Sequence, residues 1–214
     1  NPARGPTVNE FIDVALLATT FFTLFVIMDP PGTVPVFLAL TSTSTVAERK
    51  RAALQATSVA LGVITVFTLL GPYILQFLGI SVPALQLSGG LLLLLVAMEL
   101  LTGKAEEPKP AGAGKVNVAL VPLGTPLLAG PGAIVAAMLA MEDADGPRGW
   151  LAIAIAVLAV HLCLWLAMRF SIVIHRVLGD GGTTLVTRLA GLLLAAIAAQ
   201  LMADAVFAFI DARG

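Results

Sequence analysis

Two short stretches hold the residues on which binding chemistry can be built. Asp29-Pro30-Pro31-Gly32-Thr33-Val34-Pro35 interrupts one long apolar run, and Ala129-Gly130-Pro131-Gly132 interrupts another, with Pro122 and Pro126 ahead of it. Proline removes a backbone donor and frees the carbonyl it would have served. Short half-helices are expected to restart after each break, one inward from Thr33 and one outward from Ala133, with their N-termini facing each other near mid-depth. Helix N-termini carry unpaired N–H groups and positive dipole character, which suits a carboxylate. Asp29 sits at the opposite kind of end, the C-terminus of the preceding half-helix, and has no acidic counterpart because the matching residue is Ala129. A carboxylate there suits an ammonium group, a sodium ion or a proton. The parts together fit a small zwitterion. The candidate binding residues are Asp29, Pro30, Pro31, Gly32, Thr33, Thr125, Gly130, Pro131, Gly132 and Ala133. The competing reading is that proline and glycine only kink the helices and Asp29 caps a neighbour.

Other polar groups in apolar runs are weaker candidates. Glu99, Gln200 and Asp204 are possible coupling or cavity residues, with Gln200 and Asp204 one turn apart. His161 reads as a hydrogen-bonded structural histidine more readily than as a proton relay. No nucleophile–base pair or metal cluster stands out: Cys163 is the single cysteine and there are two histidines. A membrane enzyme, a cofactor site and a zinc site are therefore not expected. No nucleotide-binding loop is present, so direct coupling to ATP would need another subunit.

These residues need a membrane to position them. The chain has 214 residues, of which 58% are hydrophobic and 12% charged, and its mean hydropathy is +0.99. Soluble domains carry about a quarter charged residues. At roughly 20 residues per crossing, the apolar supply covers about six helices. With 12 Lys and Arg against 13 Asp and Glu, there is no basic surface for nucleic acid. The runs are continuous rather than alternating, which disfavours a β-barrel. Six spans are expected: Phe11 to Leu40, Ala52 to Leu78, Val82 to Leu101, Val118 to Met141, Trp150 to Leu178 and Thr184 to Ile210. The first is too long for a signal-peptide core, and only Arg4 precedes it. Asn1 is not Met, which reads as a trimmed or processed start.

Arg49, Lys50, Arg51, Lys104, Lys109, Lys115, Arg169, Arg176 and Arg188 fall on one side, against Arg4, Arg148 and Arg213 on the other. The excess marks the cytoplasm and places both termini outside. Pro31-Gly32 aligns with Pro131-Gly132 at an offset of 100, and Ser88-Gly89-Gly90-Leu91-Leu92-Leu93 with Leu189-Ala190-Gly191-Leu192-Leu193-Leu194 at 101. The organisation expected is an all-α membrane protein of six transmembrane helices in two inverted three-helix repeats, residues 1–103 and 118–214, joined by a cytoplasmic linker, 104–117. The first and fourth helices are broken. Inverted repeats with broken helices are a transporter architecture.

The run Phe22 to Phe37, centred on Asp29-Pro30-Pro31-Gly32-Thr33, resembles the first-span signature of the MarC family of prokaryotic inner-membrane proteins. Pro122-Leu123-Gly124-Thr125-Pro126-Leu127-Leu128-Ala129-Gly130-Pro131-Gly132-Ala133-Ile134 resembles its fourth-span signature, and Gln86 to Leu91 the start of its third span. The resemblance covers nearly the whole chain. It implies six spans, a relation to the lysine-exporter-like superfamily, and transport of small neutral amino acids such as glycine or alanine in at least one branch. Many members carry an amide where this chain has Thr33 and an aliphatic residue where it has Pro31, which leaves the site here more dependent on backbone groups. The expected function is a secondary transporter of small neutral amino acids, proton- or sodium-coupled or running as an exporter, in the prokaryotic inner membrane. A homo-oligomer is compatible with this. The alternatives are a channel or exporter for another small metabolite or ion, and a structural membrane protein without substrate.

Overall fold

Asp13 opens the first helix by accepting the Leu16 amide on its carboxylate at 2.9 Å, an N-cap interaction. The computed structural model describes residues 12–103 and 129–211. Its elements are α1 (Val14–Met28), α2 (Pro30–Leu40), α3 (Val46–Leu78), α4 (Val82–Thr102), α5 (Pro131–Glu142), α6 (Gly146–Arg169) and α7 (Ser171–Asp211). No strand occurs among the described residues. The expected linker 104–117, the first half of the fourth span and Thr125 lie outside the described residues.

Among the described residues, five helical stretches are long and apolar enough to cross a bilayer: Val14–Leu38, Val46–Leu78, Val82–Thr102, Gly146–Arg169 and Gly181–Asp211. The shorter apolar helix Gly132–Glu142 is the described part of the fourth expected span. Their outward faces carry Leu69, Leu70, Phe77, Leu95, Leu158, Leu192 and Phe207, all exposed. A surface this apolar needs lipid as its solvent, and the chain is an all-helical, multi-pass membrane protein. Half of the apolar window of α6 is buried, against 17–28% in the other four spans, so α6 is the central post of the bundle. Its Ile153, Val157, Val160 and Leu164 share a core with Leu24 and Met28 of α1 and Ile64 of α3.

Two boundaries depart from the sequence expectation. The fifth span ends at Arg169 rather than Leu178, because Phe170 leaves the helical region (φ −106, ψ 19). The last span begins near Gly181 rather than Thr184, after a break at Gly179 (φ 63, ψ −177) that a side chain would resist. Inside α3, Pro72 does not end the helix. Gly71 beside it has no side chain, and a methyl there would collide with Met138 of α5.

Contacts between helices set the depth of each element. α4 lies along α7, α3 against both α5 and α6, and α2 against both α6 and α7. A methyl added at Gly90 would lie 2.9 Å from the Ala198 carbonyl oxygen and 2.7 Å from Met202. One at Gly191 would lie 3.3 Å from the Ala97 carbonyl oxygen and 3.2 Å from Leu101. Glycine therefore lets the two backbones touch at two points, and the descending partner numbers show that α4 and α7 run antiparallel.

The start of α3 and the junction of α6 with α7 meet at one end, where Arg49, Lys50 and Arg169 line a common recess. Arg49 ties down the return from α2, donating from Nε to Thr41 Oγ1 (3.1 Å) and from Nη2 to the Thr41 carbonyl (3.0 Å). Glu48 and Thr45 form a capping box at the start of α3. At the opposite end lie the start of α1, the end of α5 and the start of α6, with Asp143, Asp145 and Arg148.

Candidate functional site

The break between α1 and α2 follows from three consecutive residues. An α-helix is closed by N–H groups reaching carbonyls four residues back. Pro30 and Pro31 have no N–H to give to Val26 and Ile27, so both carbonyls lose their helical donor. Asp29 precedes a proline and is pushed out of the right-handed helical region. It adopts φ 39, ψ 69, the one positive φ outside glycine among the described residues. That conformation is disfavoured by about 1–2 kcal/mol for an L-residue, though aspartate tolerates it better than most. Gly32, next in line, sends its N–H to Asp29 Oδ1 at 3.1 Å instead of to the Met28 carbonyl. The Asp29 amide closes the last turn of α1 on the Phe25 carbonyl at 3.0 Å. The result is a helix C-terminus with freed carbonyls beside a carboxylate, inside a membrane-spanning segment.

Asp29 is 8% exposed, and its Oδ2 has no hydrogen-bond partner among the described residues. Both carboxylate oxygens fold over Gly32, where an added methyl would collide with Oδ2 and lie 2.7 Å from Cγ and 3.1 Å from Thr187 Oγ1. Thr187, on α7, thus places a hydroxyl beside Gly32 from a different helix, without bonding Asp29 Oδ2. Thr33 is buried, and its own hydroxyl is used locally, donating to the Asp29 carbonyl at 3.0 Å.

The second break places its parts next to the first. Gly130 precedes Pro131 and is extended (φ −59, ψ 158), as a residue before proline should be. Its carbonyl accepts the amides of Ala133 (3.0 Å) and Ile134 (3.2 Å). Ala129 and Ala133 are buried in the same core as Met28. Gly132 is buried with no room for a side chain: a methyl would collide with Leu93 of α4 and lie 3.6 Å from Ile27 of α1. Asp29 and the N-terminus of α5 are therefore neighbours through Ile27 and Met28.

The amides differ from the sequence expectation. Helices restart at Pro30 and Pro131, not at Thr33 and Ala133, because proline itself suits the first helical position. On α2 this leaves no free donor in the first turn: Pro30 and Pro31 have none, Gly32 serves the Asp29 carboxylate and Thr33 the Asp29 carbonyl at 3.0 Å. The Gly132 N–H lies in the first turn of α5, where the helix itself supplies no acceptor. The two breaks are thus unlike. One offers acceptors, and the other offers the positive end of a helix.

Glu99 is exposed near the end of α4 and does not reach the breaks. Gln200 lines a recess between α1, α5 and α7, and donates from Nε2 to Asp204 Oδ1 at 2.8 Å. His161 is buried, with Nδ1 2.7 Å from the Val157 carbonyl one turn back. Thr187 is the residue that the sequence reading missed. The signal was there: the offset of 101 that pairs Gly90 with Gly191 also pairs Gln86 with Thr187, two polar residues one turn before each glycine.

A family model for MarC family integral membrane proteins matches residues 14–210. A UPF0056 membrane protein of Methanocaldococcus jannaschii is 35% identical over 201 residues, covering 91% of this chain and 98% of that protein. One from Aquifex aeolicus is 33% identical over 195 residues, covering 88% and 91%. The UPF0056 membrane protein YhcE of Escherichia coli is 32% identical over 196 residues, covering 89% and 91%. No solved structure matches.

Proposed function

The chain belongs to the MarC family of integral membrane proteins, and from that premise we propose that it is a secondary transporter of small neutral amino acids of the glycine and alanine class. The observation that carries the reading is Asp29: a carboxylate buried within a span, with Oδ2 unpartnered among the described residues. Ionisable groups at such depth are expensive and face protein or a water-filled path. An ammonium group satisfies Oδ2 and the freed Val26 and Ile27 carbonyls together. The substrate carboxylate then meets the N-terminus of α5 at Gly132. Gly32 and Gly132, with no room for added methyls, keep the space small and favour a ligand with little side chain. A coupling sodium ion or proton uses the same acceptors when the ammonium is absent.

The helix packing supports two inverted units. Exchanging α2, α3 and α4 with α5, α6 and α7 leaves the pattern of contacts between these two sets of helices unchanged. The repeat offset of 101 carries Gly90 to Gly191, Ala97 to Ala198 and Leu101 to Met202, and these are the residues that meet across α4 and α7. In this reading the Arg49 end is cytoplasmic, and one unit rocks against the other around the paired breaks.

The test is reconstitution in liposomes with labelled glycine and alanine under imposed proton and sodium gradients. Gradient-driven uptake or counterflow is expected, with Asp29→Asn inserting normally but losing flux or coupling. No flux of either amino acid under any gradient overturns the substrate, and an unchanged Asn variant overturns the site.

A further inference from the structure

Threonine in a membrane helix normally satisfies its hydroxyl on the carbonyl four residues back. Among the described residues the buried threonines are Thr20, Thr33, Thr41, Thr57, Thr68 and Thr183. Thr33, Thr41, Thr57, Thr68 and Thr183 donate in that way, to Asp29, Phe37, Ala53, Ile64 and Gly179. Thr20 does not. It is 4% exposed, and its Oγ1 has no partner among the described residues. In a hydrocarbon surround an unmade hydroxyl bond costs about 1–3 kcal/mol, so this hydroxyl calls for a partner beyond the described residues, and water in the adjoining space supplies one.

Thr20 borders a cavity of about 290 Å³ between α1, α5 and α7, whose lining includes Thr19, Thr23, Gln200 and Asp143. The volume lies at the small end of ligand pockets. Asp143 stands at the end of α5 farthest from the second break, so the cavity opens at the Asp143 end of the bundle. Leu24, fully buried, forms its floor. Thr20, Leu24 and Met28 are the buried residues of α1 and form one stripe along it. Asp29 lies five residues beyond Leu24, about 7.5 Å further along the axis.

We propose that this cavity is a water-filled outer vestibule through which a small polar solute reaches the Asp29 site, with Leu24 as the barrier between them. Hydroxyls and an amide line the entrance, and the apolar Leu24 and Met28 separate it from the carboxylate. The placement on the outer side rests on the orientation proposed above, whereas the existence of the vestibule does not depend on which solute is carried.

The experiment uses the full chain in intact cells and in inverted membrane vesicles, with Cys163 replaced by Ala so that no native thiol remains. Single cysteines at Thr20 and at the outward-facing Leu192, which borders none of the cavities described, are exposed to a membrane-impermeant methanethiosulfonate. The reactive species is the thiolate, which needs water, so Thr20→Cys is expected to label about 10-fold or more faster than Leu192→Cys. Labelling is further expected to block uptake of whatever solute the unlabelled variant carries. Thr23→Cys provides the same reading should Thr20→Cys fail to insert. Equal rates at Thr20 or its stand-in and at Leu192 from both faces overturn the vestibule. Labelling only from the cytoplasmic face overturns its placement. Fast labelling with no glycine or alanine flux sustains the vestibule and refutes the substrate class alone.

Discussion

Replacing Gly32 with alanine sets two effects against each other at one atom. Gly32 has no positive φ, so its backbone accepts alanine, and the exchange favours the helical state by about 1 kcal/mol. The new methyl nevertheless falls on Asp29 Oδ2, 2.7 Å from Cγ and 3.1 Å from Thr187 Oγ1. The carboxylate must swing away and surrender the 3.1 Å bond from the Gly32 amide. A hydrogen bond to a charged group contributes about 1.5–3 kcal/mol, so the net loss of stability is about 0.5–2 kcal/mol. The displaced carboxylate is the larger matter for transport. At about 1.4 kcal/mol per factor of ten, losing a contact of that strength raises the apparent KM for glycine on the order of 10- to 100-fold. The assay pairs thermal unfolding in detergent with labelled glycine uptake in liposomes. A raised Tm together with a wild-type KM would refute the reasoning, because it would mean that the carboxylate position does not matter to the solute.

Pro30→Ala with Pro31→Ala restores amide donors to the Val26 and Ile27 carbonyls. The double variant is expected to raise Tm while flux falls, and unchanged flux would detach transport from the break. Gly90→Val and Gly191→Val overpack the same seam from opposite helices. Each is expected to destabilise by about 1–3 kcal/mol, and thermal unfolding in which only one of them matters contradicts the matched packing. Arg49→Ala removes two bonds to Thr41 and is expected to loosen the return between α2 and α3, read as faster limited proteolysis there with the bundle intact.

The spans were legible because apolar runs of about 20 residues have few other uses. The first break was legible because consecutive prolines leave carbonyls without donors whatever surrounds them. Its details were not. The restart at Pro30 rather than Thr33 depends on proline's fitness as an opening residue, which turns the expected amide-rich end of α2 into an end already consumed by Asp29. The arrival of Thr187 depends on how α7 crosses α2, a tertiary fact with only a weak echo in the repeat. Thr20 looked like any other membrane threonine, since its distinction is a bond that it does not make. The end of α6 at Arg169 was hidden because Phe170, Ile172, Val173, Ile174, Val177 and Leu178 continue the apolar run across the bend.

The matched glycines of α4 and α7 have a consequence for energetics. In the proposed transport cycle, a seam built from equivalent contacts on both helices looks alike from either leaflet, so it would supply no bias toward opening one way. Any resting preference must originate where the halves differ, and Asp29 opposite Ala129 is such a difference. One half carries a titratable group and the other carries a methyl. Under the proposed transport function, a gradient of charge across the bilayer acts on Asp29 in one half and meets a methyl at Ala129 in the other, so direction would be imposed on a scaffold that is itself indifferent to it.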